Sequence, residues 1–432
     1  MLQFQSFIGI FVFLAIAYIL SSHKKMISFK VVFYGIGFQF LMALLVLGIP
    51  SLGFSGPLKV FFEVANSGIL KILQFTESGS SFLLGDLIKP DRFGFILAFQ
   101  VLPIIIFLSS LMTVLYHIGI MQKIVNAFAI VMQKILGISG AESLSAAANV
   151  FVGQTEAPLI IRPYLLKMTK SELFSVMTGG MATIAGSVMA AYVGLLKDFI
   201  PGIGGHLLTA SILSAPAALV VAKIILPETE KPETLGRVPK DIEKHHVNII
   251  EAAANGATDG MKLAINVAAM LLAFVALIAM ADAMLIGFGN LISFNSWGTT
   301  ISPEFFLKDG QAQLSLSFIM SWLFTPIAFF LGIPWQDLNI AGALIGKKIV
   351  FNEFIAYLDL AKIGSELNPR TSIILSYALC GFANFSSIAI QIGGIGSLVP
   401  ERKKELAQFG VKAVIGGSLA AFITASIAGL LI

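Results

Sequence analysis

Charged residues are scarce in this chain. Asp, Glu, Lys and Arg make up 12% of its 432 residues, whereas they account for about 25% of an ordinary soluble domain. Hydrophobic residues account for 57%, and apolar runs of about 20 residues recur along the whole chain. This composition excludes a soluble fold and indicates an all-α polytopic membrane protein. The net charge of +4 is then assigned to cytoplasmic loops, and not to nucleic-acid binding.

Two further scarcities limit the chemistry. The single cysteine, Cys380, excludes an internal disulfide. The adjacent His245 and His246 lie in a polar stretch, where solvated loop residues are expected rather than a metal site. The N-terminus lacks both the basic region and the cleavage site of a signal peptide, so residues 2–20 are predicted to be retained as a first span with the N-terminus outside.

Eight apolar stretches are predicted as transmembrane helices because they are long enough to cross a bilayer. They cover residues 2–20, 31–50, 95–120, 171–196, 207–226, 261–288, 371–398 and 409–431. With the N-terminus outside, most of the 28 basic residues fall on the inside, as expected for a multi-pass membrane protein.

Residues 122–137 are amphipathic instead. At about 100° per residue, their polar side chains share one face of a helix. These side chains are Gln122, Lys123, Asn126, Gln133 and Lys134. The pattern predicts an interfacial helix that lies on the membrane, and an ordinary loop helix is the alternative.

Residues 141–163 and 312–362 each contain two apolar arms that are too short to span alone. In the second segment, FFLGIPW is predicted as the turn, and FNEF places Asn352 and Glu353 in the returning arm. Both segments are predicted as re-entrant hairpins, which a membrane tolerates only where protein or a water-filled cavity satisfies the backbone.

The order hairpin, span, span occurs twice, at 141–226 and at 312–431. In each copy, small and hydroxyl residues interrupt the first span, with ATIAGSV at 182–188 and SSIAIQIGG at 386–394, which aligns Thr183 with Ser387. The first hairpin enters from inside and the second from outside, so the repeats are inverted. Inverted repeats with broken helices are typical of secondary transporters, which bind their substrates near the membrane midplane.

The repeats divide the chain into four predicted regions. Residues 1–120 form part of a scaffold, with three spans and an outer interfacial segment. Residues 121–226 hold the interfacial helix and the first transport repeat. Residues 227–311 hold a cytoplasmic linker and a scaffold span, and residues 312–432 form the second transport repeat.

Two acids, Glu156 and Glu353, occupy corresponding places in the predicted hairpins. An acid at bilayer depth costs about 2.5–3.5 kcal/mol, so it needs an interior partner or water. Nearby, Gln154 offers an amide that can make two complementary bonds to a planar heterocycle, and Thr155 adds a hydroxyl. The alternative for each glutamate is a buried acid that backbone amides satisfy at a hairpin tip.

A second polar group lies in GFANFSSIAI, where Asn384 and Ser387 are three residues apart and therefore share one helical face. With a nearby carboxylate they form a set that can bind the vicinal hydroxyls of a sugar. Phe382 could pack against a ring, although in a chain with 36 phenylalanines a core position is the more frequent role.

The sequence also contains the parts of a cation site. Asn149 offers a side-chain oxygen and Thr183 a hydroxyl, and a broken helix at 183–187 frees carbonyls of the kind that coordinate sodium. Because Asn and Thr also cap helix ends, capping is the alternative for both residues.

At these positions the chain resembles the concentrative nucleoside transporter family, bacterial branch. The matching stretches are ESLSAAANVFVGQTEAPLIIRPYL at 142–165, PETEKP at 227–232, NEFIAY at 352–357 and SYALCGFANFSSIAIQIGGIGSLVPER at 376–402. The resemblance extends essentially from end to end, and these motifs are long and specific. It implies a homotrimer in which a scaffold holds a mobile transport domain.

The resemblance also implies roles for individual residues. The residues that would contact the nucleobase are Gly153, Gln154, Thr155, Glu156 and Val188. Those that would hold the ribose are Glu353, Phe382, Asn384 and Ser387. Those that would hold sodium are Asn149, Val152, Thr183 and Ile184, the second and fourth through their carbonyls. Serine is common in relatives at the position of Thr183, and threonine keeps the hydroxyl but adds a methyl group.

The resemblance, together with these residues, therefore implies a sodium-coupled symporter that imports nucleosides such as uridine by an elevator-type mechanism. Proton coupling is the nearest alternative, with Glu156 or Glu353 as the proton carrier. An intramembrane enzyme could use the same glutamate pair as acid and base, but the sequence has no nucleophile–base constellation or phosphate-cradling loop beside it. A channel is a third alternative, and broken helices in inverted repeats favour alternating access over it.

Overall fold

The computed structural model describes residues 1–239, 247–301, 307–308 and 310–432. His245 and His246 lie outside these residues. Helices make up most of the described chain, which confirms the all-α prediction. Strands β1 (Leu307–Lys308) and β2 (Gln311–Ala312) pair as a short antiparallel hairpin.

Seven helical segments of the described chain are long and apolar enough to cross a membrane. They are α1 (Leu2–Ile19), α2 (Phe29–Leu47), α5 with α6 (Leu97–Gln100 and Leu102–His117), α11 with α12 (Lys170–Ala182 and Gly186–Leu196), α13 (Ile203–Ile225), α14 (Ile249–Leu291) and α21 (Lys403–Leu431). The predicted span at 371–398 consists of two shorter helices, α19 (Pro369–Ala378) and α20 (Phe385–Leu398). This predicted span is therefore a broken helix, and the total of eight spans stays a prediction.

The remaining helices are shorter or more polar. They are α3 (Lys59–Leu84), α4 (Pro90–Phe93), α7 (Ile120–Leu136), α8 (Gly140–Asn149), α9 (Ala157–Ile160), α10 (Arg162–Leu165), α15 (Phe294–Ile301), α16 (Leu316–Phe330), α17 (Leu338–Val350) and α18 (Glu353–Ile363). Helix α7 has the predicted amphipathic pattern, because its buried side chains recur at helical spacing. These are Met121, Val125, Ala129, Met132 and Leu136. The location of α7 on the membrane surface stays a prediction.

Contacts between helix ends show which ends lie together, and the assignment of inside and outside stays a prediction. Arg370 at the start of α19 hydrogen bonds the carbonyl of Ile432 and the hydroxyl of Ser6, so both chain termini lie at the same end of the bundle. At the other end, the amide of Ser22 donates to the carbonyl of Ile225 over 2.9 Å. The C-terminal ends of α1 and α13 therefore lie together.

The first hairpin consists of α8, a tip at 150–156, and the returning helices α9 and α10. A capping box fixes the start of α8, because Ser139 and Glu142 each bond the other's backbone amide through their side chains. The predicted linker contacts the same end. Thr234 accepts bonds from the amides of Gly140 and Ala141, at 2.9 and 3.0 Å, so the linker also caps this hairpin.

The tip of the second hairpin differs from the prediction. FFLGIPW does reverse the chain, but it joins α16 to α17. The tip that corresponds to the tip of the first hairpin is Phe351–Asn352, between α17 and α18. No glycine or proline marks this tip. Asn352 makes the turn by capping α18, since its side chain accepts a bond from the amide of Ile355 over 2.9 Å. Helix α16 then precedes the second hairpin as α7 precedes the first.

The two helix breaks were predicted with unequal success. Helix α11 ends at Ala182 and α12 begins at Gly186, as predicted, but the second break lies at 379–384 and not at 386–394. The aligned pair Thr183 and Ser387 is therefore wrong, because Ser387 lies inside α20. The carbonyl of Thr183 instead accepts a bond from the amide of Phe382 over 3.2 Å. The two breaks face each other directly.

Candidate functional site

A cavity lies where the two hairpin tips meet the two helix breaks. Every residue predicted to contact the substrate lines it, namely Gly153, Gln154, Thr155, Glu156, Val188, Glu353, Phe382, Asn384 and Ser387. These residues come from segments that are far apart in sequence, and the fold brings all of them together. Their individual roles stay predictions.

Glu353 is the most firmly held acid in the cavity. The hydroxyl of Tyr192 donates to its Oε1 over 2.8 Å, and Nδ2 of Asn384 donates to its Oε2 over 3.1 Å. Glu353 is also the first residue of α18, where the helix dipole favours a negative charge. Each oxygen has a second lone pair, so the carboxylate can still accept bonds from ligand hydroxyls.

Asn384 has a different local role from the predicted one. It is the N-cap of α20 and not a residue on its face, because its Oδ1 accepts bonds from the amide of Ser387 and the hydroxyl of Ser386, at 2.9 and 2.7 Å. Its oxygen is therefore used by the helix, and only its N–H groups are left for Glu353 and a ligand. Asn352 caps α18 in the same way and also lines the cavity, although the sequence analysis gave it no site role.

Gln154 has protein partners at both ends of its amide. Its Nε2 donates to the hydroxyl of Ser387 over 3.1 Å, and its Oε1 accepts from Nε2 of Gln391 over 3.0 Å. The second hydrogen of its NH₂ group and the second lone pair of its oxygen remain. The predicted pair of complementary bonds to a heterocycle stays a prediction. Gln391 and Tyr192 are functional candidates that the sequence analysis missed.

Glu156 is held by backbone alone. Its Oε2 accepts a bond from the amide of Gly153 over 2.7 Å, within the tip of the first hairpin. The side chain otherwise faces the cavity. The alternative of an acid satisfied by a backbone amide thus describes part of its surroundings, whereas Glu353 is held by side chains.

The opposite wall of the cavity is apolar. It is formed by side chains of α14, namely Leu263, Val267, Met270 and Leu271. The polar groups of the cavity all belong to the two repeats. A ligand held there would find hydrogen-bond partners in the repeats and not in α14.

The residues predicted to hold sodium lie beside this cavity. Asn149 is 1% exposed, and among the described residues neither polar atom of its side chain has a hydrogen-bond partner. The hydroxyl of Thr183 donates to the carbonyl of Gly179 over 3.1 Å, which leaves its own lone pairs available. No described residue donates a hydrogen bond to the carbonyl of Val152 or of Ile184. These oxygens fit a sodium ion.

Comparisons with known proteins agree with this geometry. The chain matches the family models described as Na+ dependent nucleoside transporter N-terminus over residues 8–87, nucleoside recognition over 98–199, and Na+ dependent nucleoside transporter C-terminus over 206–429. An uncharacterized transporter of Haemophilus influenzae is 42% identical over 99% of this chain and 97% of that protein. Solute carrier family 28 member 3 of Homo sapiens is 39% identical over 99% of this chain, which spans 60% of that longer protein.

Solved structures of CNTnw are similar over the full length. One, in an inward-facing substrate-bound state, is 42% identical with a TM-score of 0.87 and covers 100% of this chain and 98% of that chain. Another, in the intermediate 1 state, is 41% identical with a TM-score of 0.88 and covers 100% of this chain and 99% of that chain.

Proposed function

We propose that this protein is a sodium-coupled symporter that imports nucleosides such as uridine. The chain belongs to the Na+-dependent nucleoside transporter family, so it is a nucleoside transporter and not an enzyme. The observation that carries this proposal is the shared hairpin tip. The tip and Asn149, the last residue of α8 just before it, supply Asn149 and the Val152 carbonyl to the candidate ion site and Gln154 and Glu156 to the cavity.

Coupling follows from that shared tip. A sodium ion bound by Asn149, Thr183 and the two free carbonyls would join the first hairpin to the break between α11 and α12. It would thereby hold Gln154 and Glu156 in place for the nucleobase. Linkage requires the converse as well, so bound nucleoside would tighten the binding of sodium.

In this proposal the second repeat holds the sugar. Glu353 accepts bonds from the ribose hydroxyls, and Asn384 and Ser387 complete the polar set, with Phe382 against the ring. Both oxygens of Glu353 are already oriented by Tyr192 and Asn384, so little ordering is needed when the ribose binds.

The distribution of polarity supports an elevator movement. The two repeats carry every polar group of the cavity, and α14 offers only apolar side chains, so the repeats could move along α14 without breaking ligand hydrogen bonds. Structures of CNTnw are described as inward-facing, intermediate and outward-facing. A homotrimer in the bacterial inner membrane is part of the same proposal.

Uptake into proteoliposomes tests the coupling ion. Purified protein would be reconstituted, and radiolabelled uridine uptake measured under an imposed sodium gradient, under an imposed pH gradient, and with neither. We expect the sodium gradient to drive accumulation and Asn149→Ala to abolish that effect. Accumulation that follows only the pH gradient would contradict sodium coupling and favour a glutamate as the proton carrier.

A further inference from the structure

Gln391 lies directly behind the cavity. This residue of α20 is fully buried and does not line the cavity. Its Nε2 is 3.0 Å from the carbonyl oxygen of Met177 and 3.0 Å from Oε1 of Gln154. The close approach requires Gly180, since a Cβ there would lie 2.7 Å from Nε2 of Gln391 and 2.9 Å from Cβ of Gln154.

The carbonyl of Met177 determines the orientation of both glutamine amides. A backbone carbonyl can only accept, so the NH₂ end of Gln391 must face it. The same NH₂ end faces Gln154, which must therefore present its oxygen. The NH₂ end of Gln154 then faces Ser387 and the cavity, with its Nε2 3.1 Å from the Ser387 hydroxyl. An orientation that distances alone leave open is thus fixed by one carbonyl of α11.

We propose that Gln391 is a positioning residue that fixes Gln154 as a hydrogen-bond donor toward the nucleobase. The transporter would then favour bases that present an acceptor, such as a carbonyl oxygen or an unprotonated ring nitrogen, to this point of the cavity. The inference rests on the proposed function, because it takes Gln154 as a contact of the base. Gln391 itself does not touch the ligand.

Uridine and cytidine are suitable probes because they have the same shape but exchange a donor and an acceptor on one edge of the base. The inhibition constants of both would be measured by competition with radiolabelled uridine uptake, and by competition binding to purified protein. Gln391→Met keeps the length of the side chain but removes its donors, and Gln391→Leu is a second apolar variant.

In both variants Gln154 is free to turn its oxygen toward the ligand. The nucleoside that the unmodified protein prefers is expected to lose affinity. The ratio of the inhibition constants of the two nucleosides is expected to fall by about three- to tenfold, which is the effect of one hydrogen bond. The sodium concentration for half-maximal uptake is expected to stay within about twofold, because the hydrogen-bond partners of Gln391, Gln154 and Met177, do not belong to the candidate ion site. Loss of packing alone would weaken both nucleosides equally.

Two controls complete the test. Ser397→Ala removes an exposed hydroxyl of the same helix, which bonds only the carbonyl of Gly394, and should leave the ratio unchanged. Gln154→Ala should change it. A constant ratio in both Gln391 variants, with a changed ratio in Gln154→Ala, would overturn this inference alone. A ratio that Gln154→Ala also leaves constant would overturn the proposed base contact as well.

Discussion

The first and second repeats both place a hairpin tip against a broken helix, but they satisfy the freed carbonyls in different ways. In the second repeat, Lys348 of α17 is fully buried. Its Nζ lies 3.4 Å from the carbonyl oxygen of Ala378, the last residue of α19, and 5.6 Å from the centre of the Phe422 ring. In the first repeat, Asn149 and two free carbonyls lie at the corresponding place. The second repeat thus has a lysine side chain beside its freed carbonyl, whereas the first has only an amide and two free carbonyls, which we propose as the sodium site.

The acids of the two repeats also differ in how they are held. Glu353 is held by two side chains, whereas Glu156 contacts one backbone amide of its own hairpin tip. A fixed ammonium and a fixed carboxylate make the second repeat a preorganised half of the site. The first repeat depends on what binds to it. This difference would let sodium control the first hairpin without disturbing the residues around Glu353.

Removing the acid of the second repeat should have the largest effect. Glu353→Gln keeps the shape but turns one acceptor into a donor, which would face Tyr192 or Asn384. Because an unpaired buried polar group costs about 1–3 kcal/mol, and more when it is charged, we expect uridine uptake to be abolished or severely reduced. Uptake by protein that reaches the membrane is the measurement.

Glu366→Gln is a matched control, because Glu366 is exposed just beyond the end of α18. It should transport at the rate of the unmodified protein. Uptake by Glu353→Gln within about twofold of that rate would contradict the assignment of Glu353 to the ribose.

Removing the fixed ammonium should have the next largest effect. Lys348→Met leaves the carbonyl of Ala378 unpaired and takes a positive charge away from the second repeat, so uridine affinity is expected to fall about tenfold or more. The neighbouring Lys347 pairs with Asp359 over 2.7 Å near the surface. Lys347→Met should change affinity by less than about fivefold, since a partly exposed ion pair contributes little. Equal losses in the two variants, measured by equilibrium binding, would remove the distinction between the repeats.

Removing the side-chain amide of Asn149 should affect the coupling between sodium and uridine more than the binding of uridine itself. We expect uridine to bind purified wild-type protein more tightly when sodium replaces potassium or choline, by the roughly 1–3 kcal/mol that is typical of linked sites. Asn149→Ala should bind uridine equally in all three salts. A sodium dependence that persists in this variant would place the ion elsewhere.

The sequence predicted the cavity better than the fold around it. Polar residues within long apolar runs are few, and those predicted to contact the substrate, such as Gln154 and Glu353, do line the cavity. The second break was misplaced because serine and glycine pairs are tolerated inside α20. The break is set by the Asn384 cap and by Gly381, where a Cβ would lie 2.9 Å from the carbonyl oxygen of Ala182. That contact crosses between the repeats, and no local pattern reports it.

Gln391 and Lys348 could not be predicted for a related reason. Their partners include the backbone carbonyls of Met177 and Ala378, which lie 214 and 30 positions away. A carbonyl is present in every residue, so the sequence does not indicate which one a distant side chain will contact. Only the fold, which brings these two carbonyls close to Gln391 and Lys348, makes the two side chains functional candidates.

The smallest expected effect concerns the methyl group of Thr183. Thr183→Ser keeps the hydroxyl that the candidate ion site requires and removes one methyl from a buried position, where Thr183 is 2% exposed. Loss of a buried methyl costs about 1 kcal/mol of folding stability, but the oxygen ligands stay the same. We therefore expect the sodium concentration for half-maximal uptake to change by less than about threefold, whereas Thr183→Val, which keeps the volume and loses the hydroxyl, should raise it about tenfold. If the two variants respond equally, the side chain of Thr183 packs beside the ion without binding it.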